Sequence, residues 1–201
     1  MVGNYYKQNI SFKDKVLSLD YALILLIIIL GVVSVFAMYS TERGNFDYYT
    51  KSHIYRFLVF FIIFLILSFL NIRIWFKSAY IFYFIVLLLL IGVSLFGVTA
   101  SGSTRWINLF IFNLQPSELM KVALIIFLAR FYNKIPFKDV NHIKFMIIPI
   151  FALFIPFALV LKQPDLGTAV LILISGLSVV WLSGFRIKFF AFSSIILVCL
   201  A

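Results

Sequence analysis

Cysteine is almost absent from this 201-residue chain: Cys199 stands alone, so no disulfide and no Cys-based metal site can form within it. Histidine is nearly as scarce. His53 and His142 lie far apart with no metal-type cluster beside either, which points to loop or interfacial residues rather than a metal centre. Acid is short too, with seven Asp and Glu against 17 Lys and Arg, a net charge of +10. In a soluble protein that excess would suggest nucleic acid. No basic stripe with interleaved aromatics stands outside the apolar runs, so that partner class is excluded. A nucleotide-binding glycine loop is also missing, which leaves an ATP-driven pump without support.

Hydrocarbon is what the chain has in quantity. Apolar residues make up 64%, charged residues 12%, and the mean hydropathy is +1.14. A soluble domain has about 45–50% and about 25% of these two groups. The composition therefore predicts an all-α polytopic membrane protein. A crossing helix needs about 20 apolar residues. Six runs qualify or nearly so: Tyr21 to Ser40, Ile54 to Ile72, a stretch within Ser78 to Thr104, Ser117 to Phe131, Phe145 to Leu161, and Leu166 to Phe185. The fourth is interrupted by Glu118 and Lys121, and the fifth carries Pro149 and Pro156, which should kink it. A seventh run starts near Phe189 and is too short to cross before Ala201, so more chain is expected beyond it.

Residues 1–20 are polar and form a separate segment, with the membrane domain running from 21 to 201. The first apolar run is longer than a signal-peptide core of about 7–15 residues, so an uncleaved first helix is expected. Orientation follows from the basic residues of alternate segments. With the N-terminus inside, the inner segments hold Lys7, Lys13, Lys15, Arg73, Lys77, Arg130, Lys134, Lys138, Lys144, Arg186 and Lys188. The outer ones hold Arg43, Lys51, Arg56, Arg105, Lys121 and Lys162. Eleven against six predicts a cytoplasmic N-terminus.

Two similar phrases then fall on the outer face: Gln115-Pro116-Ser117-Glu118 and Gln163-Pro164-Asp165-Leu166. Proline suits the first helical position, where its missing N–H costs nothing. Pro116 and Pro164 are thus expected to start the fourth and sixth helices, with Glu118 and Asp165 in their first turns. The helix dipole favours a carboxylate there by about 0.3–1 kcal/mol. Glu118 and Lys121 are three apart and close enough to pair. Read plainly, these acids are good helix-start chemistry. Because intramembrane ionisable groups usually face the bundle interior, they also suit the wall of one outward-open cavity. The loop Ser101 to Ile107 reads either as a Gly-Ser turn with an interfacial Arg-Trp anchor or as a phosphate-binding element. Gly167-Thr168 reads equally as a small-residue packing surface.

Gly102-Ser103-Thr104-Arg105-Trp106-Ile107, Gln115 to Lys121, and Gln163-Pro164-Asp165-Leu166-Gly167-Thr168-Ala169 resemble, in order and spacing, the signature blocks of the SEDS proteins. These are the shape, elongation, division and sporulation membrane proteins. Leu128-Ala129-Arg130-Phe131 and Leu182-Ser183-Gly184 are similar to the elongation type more than to the division type. The resemblance implies a ten-helix fold of which this chain holds six helices and a truncated seventh. It implies a bacterial inner-membrane glycosyltransferase that polymerises lipid II, the undecaprenyl-pyrophosphate disaccharide-pentapeptide, into glycan strands outside the membrane. Implied partners are a class B penicillin-binding transpeptidase, other elongation-complex membrane proteins and membrane lipid. No organic cofactor is implied, and a divalent cation is left open.

The family's proposed catalytic aspartate lies in an outer loop after the seventh helix, so no catalytic residue is assigned here and the fragment alone should be inactive. Glu118, Lys121 and Asp165 are expected to line and support the cavity. Arg105, Trp106, Gln115, Ser117, Lys162, Gln163 and Thr168 are candidates for the pyrophosphate or sugar. Arg105 would assist the pyrophosphate, and Lys121, held by Glu118, would orient the missing aspartate. Two rival readings are a flippase for lipid-linked cell-wall precursors, whose broken helices and midplane charges would look similar, and a non-catalytic scaffold of the elongation or division machinery.

Overall fold

A computed structural model describes residues 11–96, 98–100, 103–108 and 113–185. The chain forms two compact units, Met1–Asn71 and Ile72–Ala201.

The first unit holds α1 (Phe12–Leu17), α2 (Tyr21–Thr41) and α3 (Tyr48–Ser68). Asp20 caps α2 by accepting the Leu23 N–H over 3.0 Å. The turn after α2 passes through Arg43 and Gly44, both at positive φ (55° and 83°). Asp47, the N-cap residue of α3, makes no side-chain capping bond. Glu42 takes that role from a distance. Its carboxylate accepts the Tyr49 N–H over 2.8 Å, the Thr50 N–H over 2.9 Å, and the Thr50 hydroxyl. One carboxylate thus ends α2 and satisfies orphan donors of α3. Lower down, Gly31 lets the two helices close up: a Cβ there would lie 2.2 Å from the Phe57 ring. His53 sits inside α3, bonded to Ser34 of α2 over 2.8 Å, rather than in a loop.

The second unit holds α4 (Ile72–Phe96), strands β1 (Val98–Ala100), β2 (Ser103–Asn108) and β3 (Asn113–Leu114), then α5 (Pro116–Tyr132), α6 (Ile147–Lys162) and α7 (Leu166–Leu182). Two short 3-10 turns, Phe137–Asp139 and Ile143–Phe145, link α5 to α6. Leu90 of α4, Met120, Leu124 and Leu128 of α5, and Ile172 of α7 are fully buried. The i, i+4 spacing of the three α5 residues puts them on one face. Gly176 of α7 admits Leu153 of α6 and Leu124 of α5, since a Cβ there would lie 2.4 and 3.0 Å from their methyls. A small residue at a three-helix contact is how membrane helices pack closely.

Several expectations change here. The reading as purely α missed an antiparallel sheet of order β1-β2-β3 between α4 and α5. Its Thr-Arg-Trp-Ile run is β-branched and aromatic, which suits strands. The second span begins near Tyr48 and the third near Ile72, both earlier than hydropathy alone suggested. Among the described residues, four helices are long and apolar enough to cross a membrane: Tyr21–Thr41, Tyr48–Ser68, Ile72–Leu95 and Ile143–Lys162. The helices α5 and α7 have 17 residues each, and α5 carries Glu118, Lys121 and Arg130. The seventh apolar run, from Phe189, lies outside the described residues.

Helix α6 runs as one helix through Pro149 and Pro156. Pro149 sits in the first turn, where its missing N–H costs nothing. Pro156 is interior and deprives the Ala152 carbonyl, four residues back, of its helical donor. The Tyr83 hydroxyl of α4 donates to that carbonyl over 2.8 Å.

Candidate functional site

Helix α4 ends, α5 begins, α6 ends and α7 begins at one pole of the second unit, because successive helices alternate in direction. The sheet lies at this pole. Pairing of Ile107 with Leu114 sets Arg105, in β2, near Gln115, the N-cap residue of α5. Pro116 occupies the start of α5 as the sequence predicts. Pro164 does not start α7. That helix begins at Leu166 with Asp165 as its N-cap, so Pro164 stands one residue before the cap. Asp165 takes the cap because its Oδ1 accepts the Thr168 N–H over 3.1 Å.

Four of the anticipated residues meet here. Gln115 Nε2 donates to Asp165 Oδ2 over 3.3 Å, so the two Gln-Pro phrases are directly joined. Arg105 Nη1 lies 3.5 Å from the same Oδ2. Arg105 also donates from Nε to the Gln163 carbonyl over 3.2 Å and from Nη2 to the Pro164 carbonyl. The pair is partly dry, with 29% of the Arg105 side chain and 11% of Asp165 exposed. A carboxylate this buried is costly unless paired and hydrogen-bonded. Asp165 has three partners, so the cluster is neutral and satisfied. Arg105's fork is largely taken up by holding the α6–α7 turn.

Gln163 is buried and belongs to packing as much as to any site. Its amide donates to Ser94 Oγ over 3.1 Å and to the Leu90 carbonyl over 3.4 Å, which ties the α6–α7 turn to α4. Sequence reading missed Ser94. The only signal was a hydroxyl near the end of an apolar run.

Glu118 and Lys121 form a second group, one turn into α5. Lys121 Nζ is 2.9 Å from both Glu118 oxygens. Glu118 is exposed, and 24% of the Lys121 side chain is accessible. Among the described residues no hydrogen bond or ion pair joins this group to Arg105 or Asp165. An ammonium has three donors, and Glu118 does not use all of them. Ser117 is buried at the start of α5, Trp106 and Thr168 are half-buried, and Lys162 is exposed in the last turn of α6. Among the described residues no group of three or more His, Cys, Asp or Glu could hold a metal ion.

At the opposite pole Arg130 closes α5. It donates to the Lys77 carbonyl of α4 and lies 4.4 Å above the Tyr80 ring. A cation there also suits the helix C-terminus.

A model of the cell cycle protein family FtsW/RodA/SpoVE matches residues 17–201. The chain belongs to this family. One relative, the peptidoglycan glycosyltransferase MrdB of Escherichia coli K12, is 34% identical over 176 residues, covering 87% of this chain and 46% of the relative. The chain therefore spans about half the length of the curated relatives it matches. Among solved structures, rod shape determining protein RodA of Thermus thermophilus aligns with a TM-score of 0.74 at 27% identity, over 92% of this chain and 60% of that one. A chain solved in work on the coordination of polymerization and crosslinking by a peptidoglycan synthase complex aligns at 0.79 and 25%, over 92% and 53%. The FtsW/RodA/SpoVE likeness thus covers both units.

Proposed function

We propose that this chain is the first part of a peptidoglycan glycosyltransferase of the elongation type, polymerising lipid II on the outer face of the bacterial inner membrane. The observation that carries the reading is the Lys121–Glu118 pair, open at the pole where Arg105, Gln115 and Asp165 interlock, in a chain of this family. Residues 21–201 would form six crossing helices and a seventh begun, within a ten-helix plan. The N-terminal 20 residues would be cytoplasmic, by the excess of Lys and Arg on that side. With α5 and α7 at about 25 Å each, by 1.5 Å per residue, their ends would open into a recess on the outer side.

Glycosyl transfer forms a bond from an acceptor sugar hydroxyl to the anomeric carbon and breaks the bond to pyrophosphate. It needs a base for the hydroxyl proton and positive charge for the leaving phosphates. In this reading Lys121, steadied by Glu118, faces the pyrophosphate and orients a base supplied after Ala201. Lys162 adds exposed positive charge at the same pole. Arg105 and Asp165, with Gln115 and Gln163, fix the floor beneath, while Trp106, Ser117 and Thr168 shape it. The expected partner is a class B penicillin-binding transpeptidase, with other elongation-complex membrane proteins; the relative solved in a peptidoglycan synthase complex supports this.

The test is lipid II polymerisation in detergent by protein from the complete reading frame, where nothing can be flipped. Glycan strands are expected, and Lys121→Ala should abolish them. A flippase would make none. Normal polymerisation by the Lys121→Ala protein would remove Lys121 from the site.

A further inference from the structure

The groups at the α5–α7 pole are joined in one run of bonds, and that run begins on α4, a helix with no part in the proposed chemistry. Gln163, 3% exposed, is the junction. Its side-chain amide donates to Ser94 Oγ over 3.1 Å and to the Leu90 carbonyl over 3.4 Å. Its main-chain carbonyl accepts from Arg105 Nε over 3.2 Å. The Arg105 guanidinium continues to the Pro164 carbonyl and lies 3.5 Å from Asp165 Oδ2, which also accepts from Gln115 Nε2 over 3.3 Å. The Gln115 carbonyl accepts the Glu118 N–H over 3.1 Å, and Glu118 holds Lys121. Ser94 is thus at one end and Lys121 at the other.

The Ser94–Gln163 contact is a poor choice for stability alone. Ser94 Oγ donates to the Leu90 carbonyl, four residues back, over 3.2 Å, so a lone pair is what it offers Gln163. A serine bonded back in this way slightly destabilises its helix. Burying the Gln163 amide is a further cost that its hydrogen bonds must offset. Two apolar side chains of the same shape would join α4 to the α6–α7 turn without either cost. What the polar contact adds is direction. Apolar burial is non-directional, whereas an amide whose two N–H bonds have two acceptors on α4 is held in one orientation.

We propose that Ser94 is a positioning residue for the glycosyl transfer. It orients Gln163, which sets the carbonyl that Arg105 grips, and through Arg105, Asp165 and Gln115 it fixes the first turn of α5 that presents Lys121. The inference rests on the proposed function and deepens it, since Ser94 itself touches no reacting group.

A pair of substitutions in the full-length protein tests this. Threonine and valine have the same shape and similar helix propensity, and Ser94 is exposed on α4, so the two variants differ chiefly in the hydroxyl. In lipid II polymerisation, Ser94→Thr should keep kcat within about twofold of the unaltered protein. Ser94→Val should lower kcat about tenfold and leave KM within about twofold, the pattern of a contact that matters only in the transition state. Amide exchange at Thr168, whose N–H is bonded to Asp165 Oδ1 over 3.1 Å, should rise severalfold in Ser94→Val alone. In a Gln163→Leu background the Ser94→Val change should have no further effect on either readout, so the test does not hang on one variant. Equal kcat in the Thr and Val variants of an active protein would overturn the positioning role and leave the proposed function standing. A change confined to KM, or an additive effect in the Gln163→Leu background, would overturn it too. An unaltered protein that makes no glycan would instead overturn the proposed function, and this inference with it.

Discussion

Arg105 lies 3.5 Å from Asp165 and links the β2 strand to the N-cap of α7. The carboxylate therefore has two duties, capping α7 and neutralising Arg105, and two substitutions separate them. Asparagine is as good an N-cap as aspartate, whereas alanine loses the cap at about 1 kcal/mol. Asp165→Asn should keep α7 capped but leave Arg105 without a counter-charge. Asp165→Ala should lose both. Thermal unfolding in detergent is expected to rank them unaltered, then Asn, then Ala. Equal loss in both variants would mean that the cap contributes nothing.

The Glu118–Lys121 pair predicts the opposite balance between stability and activity. An i, i+3 pair on an exposed helix face is worth about 0.2–0.5 kcal/mol. Lys121→Ala and Glu118→Gln should therefore leave the melting temperature of the full-length protein within about 2 °C of the unaltered protein. Lipid II polymerisation should fall to background in the first and drop severalfold in the second. A melting loss as large as that of Asp165→Ala would make the pair structural.

How far the site was legible differs residue by residue. The two Gln-Pro phrases announce themselves because carboxylates are rare beside apolar runs, and the i, i+3 spacing of Glu118 and Lys121 forecasts their pairing. What no local pattern shows is which partner each group takes across the fold. Arg105 reads as a free phosphate fork in sequence, but the structure puts its donors on Asp165 and on the carbonyls of Gln163 and Pro164. Gln163 reads as a site residue and is also a tie to Ser94. The sheet was missed because its strands of three, six and two residues are too short for a period to register. Helix lengths erred for a related reason: hydropathy marks the lipid-like part of a helix, and α3 begins with Tyr48, Tyr49 and Lys51 before that part.

Tyr83 and Pro156 are expected to be coupled through Ala152. The Tyr83 hydroxyl is the donor that Pro156 cannot supply to the Ala152 carbonyl. Tyr83→Phe should cost about 1–3 kcal/mol, the penalty for an unsatisfied buried acceptor. In a Pro156→Ala background the alanine N–H restores the helical bond, so the same Tyr83→Phe change should cost much less. A double-mutant cycle by denaturant or thermal unfolding reads the difference. Strict additivity of the two substitutions would refute the coupling.

Glu42 gives the turn between α2 and α3 a defined acid sensitivity. Burial alone would raise its carboxyl, but the bonds from the Thr50 hydroxyl and from the Thr50 and Tyr49 N–H groups outweigh this and lower it below the ordinary 4.5. A carboxyl lowered in the folded state stabilises fully above its unfolded value, and that contribution is lost as the pH falls through the folded value. Protonation removes the negative acceptor from the start of α3 and leaves the Tyr49 and Thr50 donors weakly satisfied. Amide exchange at Tyr49 and Thr50 should therefore rise, once corrected for intrinsic rates, as the pH is taken below about 4.5. Glu42→Gln should show raised exchange at neutral pH and no further acid step. An acid step that survives unchanged in Glu42→Gln would assign the sensitivity to another carboxylate, of which Asp47 is the nearest in sequence.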